Sequence, residues 1–288
     1  MNLKQIADEV REILENKRKD LCITFEEEEH TYTMKDVHGV IRSDFPSVSK
    51  VMKLFYDEFP TEEVAKYKSK GDPYVMQTLL DEWKEMGKIS TNMGSRVHYE
   101  LEIETLKRCG LNKEVRQPIY ECDMNTIMKG DRMIKAGYSF LKLMEERGAI
   151  LIDTEIVLGD PELGYVGQGD TCWIIMDKNK TGYGFIITDY KTNKKKNMET
   201  NSYTKPMREP FKHLPNNALG HYNTQLPLYG KLLLKMLKGS KYENLPLLGC
   251  IIVHLTDEQE FTEYRVSKEV VDTIMKMDIK PKLTIIKK

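Results

Sequence analysis

The sequence predicts an α/β fold in which a mixed β-sheet is flanked by helices, with a helical region placed ahead of it. Three observations carry this. Helical periodicity dominates as far as Gly148, three β-rich runs then follow one another between Ile150 and Lys191, and a helical segment separates these from a buried apolar run at Leu247–Leu255.

Leu3, Ile6, Val10, Ile13 and Leu14 recur at helical spacing, so the chain opens on an amphipathic helix that ends in the basic NKRKD. Cys22–Phe25 and Thr31–Met34 read as a small hairpin, within which His30 is expected to be a structural hydrogen-bonding residue. One helix is expected through Phe55, another around Glu62–Lys68, a third opened by Asp72 and Pro73, and a fourth over Met93–Cys109. Ile127, Ile134, Tyr138 and Leu141 carry a long helix that stops at Gly148. Strands follow at Ile150–Leu158, Tyr165–Met176 and Tyr183–Lys191. Asn193–Gly220, with three consecutive lysines and three prolines, reads as a long polar loop. His221–Leu237 is helical, with Pro227 expected in its first turn or at a kink. Leu247–Leu255 and Phe261–Val266 are neighbouring strands, and a helix and basic tail complete the chain. The expected division is an N-terminal region over 1–90 packed on a core over 91–288.

At 288 residues, 40% hydrophobic and 31% charged, the chain can bury one substantial core. No apolar run approaches bilayer length and the N-terminus is not signal-like, so an intracellular, cytoplasmic protein with no membrane partner is expected. A formal charge of −1 and a pI near 6.6 exclude a protein that holds nucleic acid by global charge. Any such contact must be local. Five cysteines lack C-x-x-C spacing and are read as small core residues in a reducing compartment.

The chemistry concentrates in the hairpin from Gly164 to Thr192. Side chains alternate along a strand, so Asp189 and Lys191 share a face while Tyr190 points away, and Asp170 faces them from the partner strand. Adjacent carboxylates repel unless a cation, a proton or a basic group offsets the cost, and oxygen ligands on a rigid sheet suit Mg²⁺ or Mn²⁺. Lys191 would then lie beside a metal-bound water. Gly94 and His98 are one turn apart on one helix face, and Gln225 and Tyr229 on another. Glu155 is either a third acid or an edge charge. Lys194, Lys195 and Lys196 emerge beside the hairpin, either as a solvated run or as phosphate contacts.

The order G-x-x-x-H (Gly94–His98), Glu155, G-x-x-D (Gly167–Asp170), D-x-K (Asp189–Lys191) and Q-x-x-x-Y (Gln225–Tyr229) resembles the PD-(D/E)XK nuclease superfamily, in its RecB-like exonuclease branch. The phrases FEEEEHTYTM, FPSVSKVM and FKHLPNNALGHYNTQLPLYG are similar in style to viral and mitochondrial genome-maintenance members. The resemblance implies a restriction-endonuclease-like core and metal-assisted hydrolysis of DNA from single-stranded ends during replication, repair or recombination. It implies Asp170, Asp189, His98 and the Tyr190 carbonyl as ligands to Mg²⁺ or Mn²⁺, and Lys191 as the group that orients and helps deprotonate the attacking water while partly neutralising the phosphate, with Asp170, Asp189 and Glu155 as the acids of the site. Gln225, Tyr229 and the three lysines would hold substrate. Some relatives carry an iron–sulfur cluster, but no cysteine follows Cys250, so none is expected. The rival functions are a structure-specific endonuclease of the same fold and a non-catalytic nucleic-acid-binding subunit.

Overall fold

A computed structural model describes residues 2–26, 29, 31–199 and 205–283. Helix α1 (Leu3–Asp20) starts at Asn2, whose side chain accepts from the Lys4 amide, and buries Ile6, Val10 and Leu14 on one face. Strands β1 (Thr24–Glu26), β2 (Thr31–Lys35) and β3 (Ile41–Arg42) form a small antiparallel sheet, one strand more than the expected hairpin. His30 lies outside the described residues. Helix α2 (Val48–Met52), a 3-10 turn (Lys53–Phe55) and α3 (Thr61–Lys68) lead into α4 (Pro73–Cys109).

The two helices expected on either side of Met93 are one helix of 37 residues. Gly87 weakens such a helix by only about 1 kcal/mol, and no proline or cap interrupts it. Its weakest stretch is tied from outside, because Asn92 Nδ2 donates to the Glu121 carbonyl at 2.8 Å and Lys88 pairs with Glu121 at 3.5 Å. The N-terminal region therefore runs into the core through residue 90 without a break. Helix α5 (Met124–Glu146) lies against α4 and ends at Gly148, whose φ of +68° suits a C-terminal glycine.

The main sheet has the order β4 (Ile150–Asp160), β5 (Tyr165–Met176), β6 (Tyr183–Lys191), β7 (Leu247–Leu255), β8 (Phe261–Arg265). All pairs are antiparallel except β6 with β7, so the sheet is mixed as expected. Parallel neighbours need a crossover. It is supplied by the short α6 (Lys195–Glu199) and by α7 (Ala218–Met236). Among its described residues the expected polar loop thus contains one short helix, and α7 begins three residues early because Asn217 caps it by accepting from the Gly220 amide at 2.9 Å. That start makes Pro227 an interior residue rather than one of the first turn.

One face of the sheet is covered by α1, α2, α7 and α8 (Lys268–Lys276), the other by α4 and α5. The short α9 (Lys280–Leu283) ends the described chain, and the basic tail beyond it lies outside the described residues. Of the cysteines, only Cys172 and Cys250 are buried, so the core reading fails for Cys22, Cys109 and Cys122, which are half-buried. Among the described residues no helix is long and apolar enough to cross a membrane.

Candidate active site

The site lies at the C-terminal end of β6, the kind of sheet end at which α/β folds bind ligands. Strand pairing sets the geometry. Thr171 of β5 is opposite Thr188 of β6, so the next residues, Asp170 and Asp189, are neighbours across the ladder. They share the α7 face with Ile187 and Cys172, and Lys191 repeats the face two residues on. Tyr190 points into the opposite core, its ring 5.9 Å from that of Phe140. Its backbone amide nevertheless serves the site by donating to Asp170 Oδ2 at 2.6 Å.

Glu155 arrives from β4. Thr154 pairs with Thr171 and Ile156 with Gly169, which places Glu155 directly across from Asp170. Its φ is +41°, left-handed backbone in the middle of a strand. A non-glycine residue held there costs about 1–3 kcal/mol, so the surroundings must over-determine it. His98 comes from α4, with Nδ1 3.3 Å from Asp170 Oδ2. Ligand atoms of His98, Glu155 and Asp170 all lie within 4.8 Å of one another. Asp189, 2% exposed, stands just outside that group with Oδ2 against the Lys191 ammonium.

Burial dominates the electrostatics here. Burial, reinforced by the Asp170 charge, pushes Glu155 up to about 8 and Asp189 up to about 6. Burial opposes charge on His98 too, but the carboxylates of Asp170 and Glu155 outweigh it, and its pKa rises to about 9. For Asp170 the desolvation is overcome by His98 and Lys191, and its pKa falls below the usual range. Desolvation of Lys191 is likewise overcome by Asp189 and Asp170, so it remains a firm ammonium. One imidazole and two carboxylates, of which Glu155 has a proton to give up, form a donor set that fits a divalent cation. Gln225 Oε1, buried and without a hydrogen-bond partner among the described residues, is a further acceptor for bound water.

Gln225 Nε2 donates to Tyr229 Oη at 3.2 Å. The Tyr229 ring lies on Gly167 and Gly169, where a Cβ at Gly167 would come within 2.8 Å of its Cε1, so the first glycine of the G-x-x-D motif makes room for the tyrosine. Gly94 shows no comparable squeeze, since a Cβ there would meet Thr192 Oγ1 at an ordinary 3.5 Å. Lys194 directly precedes α6, while Lys195 and Lys196 sit on it, Lys195 paired with Glu199 at 3.8 Å.

Several contributors escaped the sequence reading. Glu102, one helical turn beyond His98, accepts from Thr154 Oγ1 at 2.9 Å, and Lys113 pairs with Asp153 at 3.1 Å while donating to the Thr154 carbonyl. This network grips β4 on the N-terminal side of Glu155. Tyr222, one turn before Gln225, has its ring centroid 4.5 Å from Lys191 Nζ. Helical spacing from His98 and Gln225 could have flagged Glu102 and Tyr222, but nothing local marks Lys113.

No family model and no curated protein matches the sequence. Among solved structures, the chain is similar to a protein from Eubacterium rectale named "Putative exonuclease", with 14% identity, a TM-score of 0.43, and coverage of 84% of this chain and 80% of that one.

Proposed function

We propose that this chain is a metal-dependent nuclease of the PD-(D/E)XK superfamily, RecB-like branch, that hydrolyses DNA as an exonuclease at single-stranded ends. The observation that carries the reading is the convergence of His98, Glu155 and Asp170 beside the buried Asp189–Lys191 pair. Buried carboxyl groups this close are kept compatible here by the proton on Glu155 and the ammonium of Lys191, an arrangement suited to exchanging protons for a cation.

His98, Glu155 and Asp170 would hold the ion, and Asp189 with the Tyr190 carbonyl would complete the set. When bound, Mg²⁺ or Mn²⁺ lowers the pKa of a water and offsets phosphate charge. Lys191, kept protonated by its neighbours, is an electrostatic group rather than a base: it orients the attacking water and stabilises charge that develops on the phosphate. Removal of the water's proton falls to the carboxylates. Gln225 and Tyr229 fix bound water or the substrate backbone, and Lys194, Lys195 and Lys196 contact phosphates at the mouth.

The test is incubation with end-labelled linear single-stranded, duplex and covalently closed circular single-stranded DNA in Mg²⁺, Mn²⁺, Ca²⁺ or chelator. Shortening of linear single strands with the circle intact, in Mg²⁺ or Mn²⁺ but poorly in Ca²⁺, is the expected result. Opening of the circle would instead indicate the endonuclease, binding without cleavage the non-catalytic subunit. Full activity in chelator would end the metal reading.

A further inference from the structure

Beside the site a cleft of about 700 Å³ opens between the start of α7 and the arm made by α3 and the first half of α4. Trp83 and Phe59 line the arm side, their ring centroids 6.4 Å apart. Tyr56 and His221, stacked at 3.6 Å, line the other. Tyr222 joins cleft to site: its ring lies under the Lys191 ammonium, and its hydroxyl donates to Asn193 Oδ1 at 2.9 Å. The proposed hydrolysis uses none of the four rings on the two walls.

We infer that this cleft receives an unpaired nucleobase of the strand being cut, stacked on Trp83, with Lys68 turning to the adjoining phosphate; the inference rests on the nuclease reading. Aromatic walls on two sides select a flat, largely apolar ligand. The volume is that of a small-ligand pocket, enough for a nucleotide and not for a duplex. The rim is cationic, for Lys68 Nζ lies 5.4 Å from the Trp83 ring centroid and Lys191 borders the far end. A flexible ammonium resting on an indole can give up that face to a base and still neutralise the attached phosphate. Asn197 and the Nδ2 of Asn193, also in the lining, offer amide groups to a base edge. A base in a duplex has both faces stacked and its pairing edge occupied, so entry requires an unpaired strand. The cleft would thus be the physical source of a single-strand preference.

The chain has two tryptophans, and Trp173 is 3% exposed in the core, so fluorescence quenching by an added strand reports on the half-buried Trp83. In Ca²⁺, oligodeoxythymidylate should quench saturably, an equally long abasic strand should bind without quenching, and a blunt duplex should leave the emission unchanged. Trp83→Ala should weaken oligodeoxythymidylate binding about five- to a hundredfold, measured by anisotropy of a labelled strand. Equal affinity of Trp83→Ala and wild type, or quenching by the abasic strand, would overturn the proposal. Cleavage in Mn²⁺ is measured in parallel. Cutting without quenching removes the cleft and leaves the nuclease, whereas quenching without cutting keeps the cleft as a base-binding site and removes the nuclease.

Discussion

Asp189 and Lys191 share a strand face and an ion pair, yet they are built to fail differently. Asp189→Asn removes charge that attracts a cation, so calorimetric Mn²⁺ titration and single-turnover cleavage should both decline. On the proposed roles, Lys191→Ala removes a charge that would repel the ion in the ground state and stabilise the transition state, so Mn²⁺ binding should stay near normal or tighten while most of the rate disappears. Wild-type cleavage by Lys191→Ala would undo the assignment. The raised pKa values make a second expectation with a definite sign. Glu155 rises from 4.5 to about 8 and His98 from 6.5 to about 9, so both hold protons more tightly folded than unfolded. Their stabilising contribution is complete below the unfolded values and is lost as pH climbs through the folded ones. In chelator the melting temperature should therefore fall between about pH 5 and 9. Glu155→Gln should flatten that slope, and Mn²⁺, which competes with the same protons, should raise the melting temperature more at pH 8.5 than at pH 6. A flat profile in chelator would show that these groups are not protonated as the geometry requires.

Helix α4 carries His98 and Trp83 on one continuous rod, so the placement of α4 sets both the candidate metal centre and the base cleft. The rod is seated where Gly137 of α5 meets Leu101, three residues beyond His98: a Cβ at Gly137 would come within 2.4 Å of Leu101 Cδ2. Gly137→Val should cost about 1–3 kcal/mol in urea unfolding, and by lifting α4 it should also weaken Mn²⁺ binding. Lost stability with unchanged metal affinity would show that His98 is positioned by something other than this crossing. On the opposite side of the site, α7 presents Tyr222, Gln225 and Tyr229 along one face, and the two glycines of β5 let the last of these rings lie flat on the sheet.

At the scale of the whole molecule a net charge of −1 means that attraction of a polyanion must come from local cations around an acidic centre. Replacing Lys194, Lys195 and Lys196 with glutamine should weaken single-strand binding and reduce the slope of log K against log salt by about 1–2, while cleavage at saturating DNA persists. The lower bound allows for Lys195, which already shares its charge with Glu199. An unchanged slope would return the three to the solvated surface.

The sequence by itself determined the strands of the main sheet, most of the helices and the shared face of Asp189 and Lys191, because these follow from periods of two and 3.6 residues that need no distant partner. It determined the mixed sheet as well, through the helix that separates Lys191 from Leu247. Only the tertiary structure decided which donors converge. It grouped His98 with Glu155 and Asp170 and left Asp189 against Lys191, since His98 is carried to the sheet by α4, which meets α5 at Gly137, 39 residues from His98 in the chain. Tertiary contacts likewise joined two expected helices into α4, because Glu121 ties down the stretch around Asn92 that local propensity leaves weak. The left-handed backbone at Glu155 and the cleft between Trp83 and His221 have no local signature at all: each is made by segments far apart in sequence that meet only when the core closes.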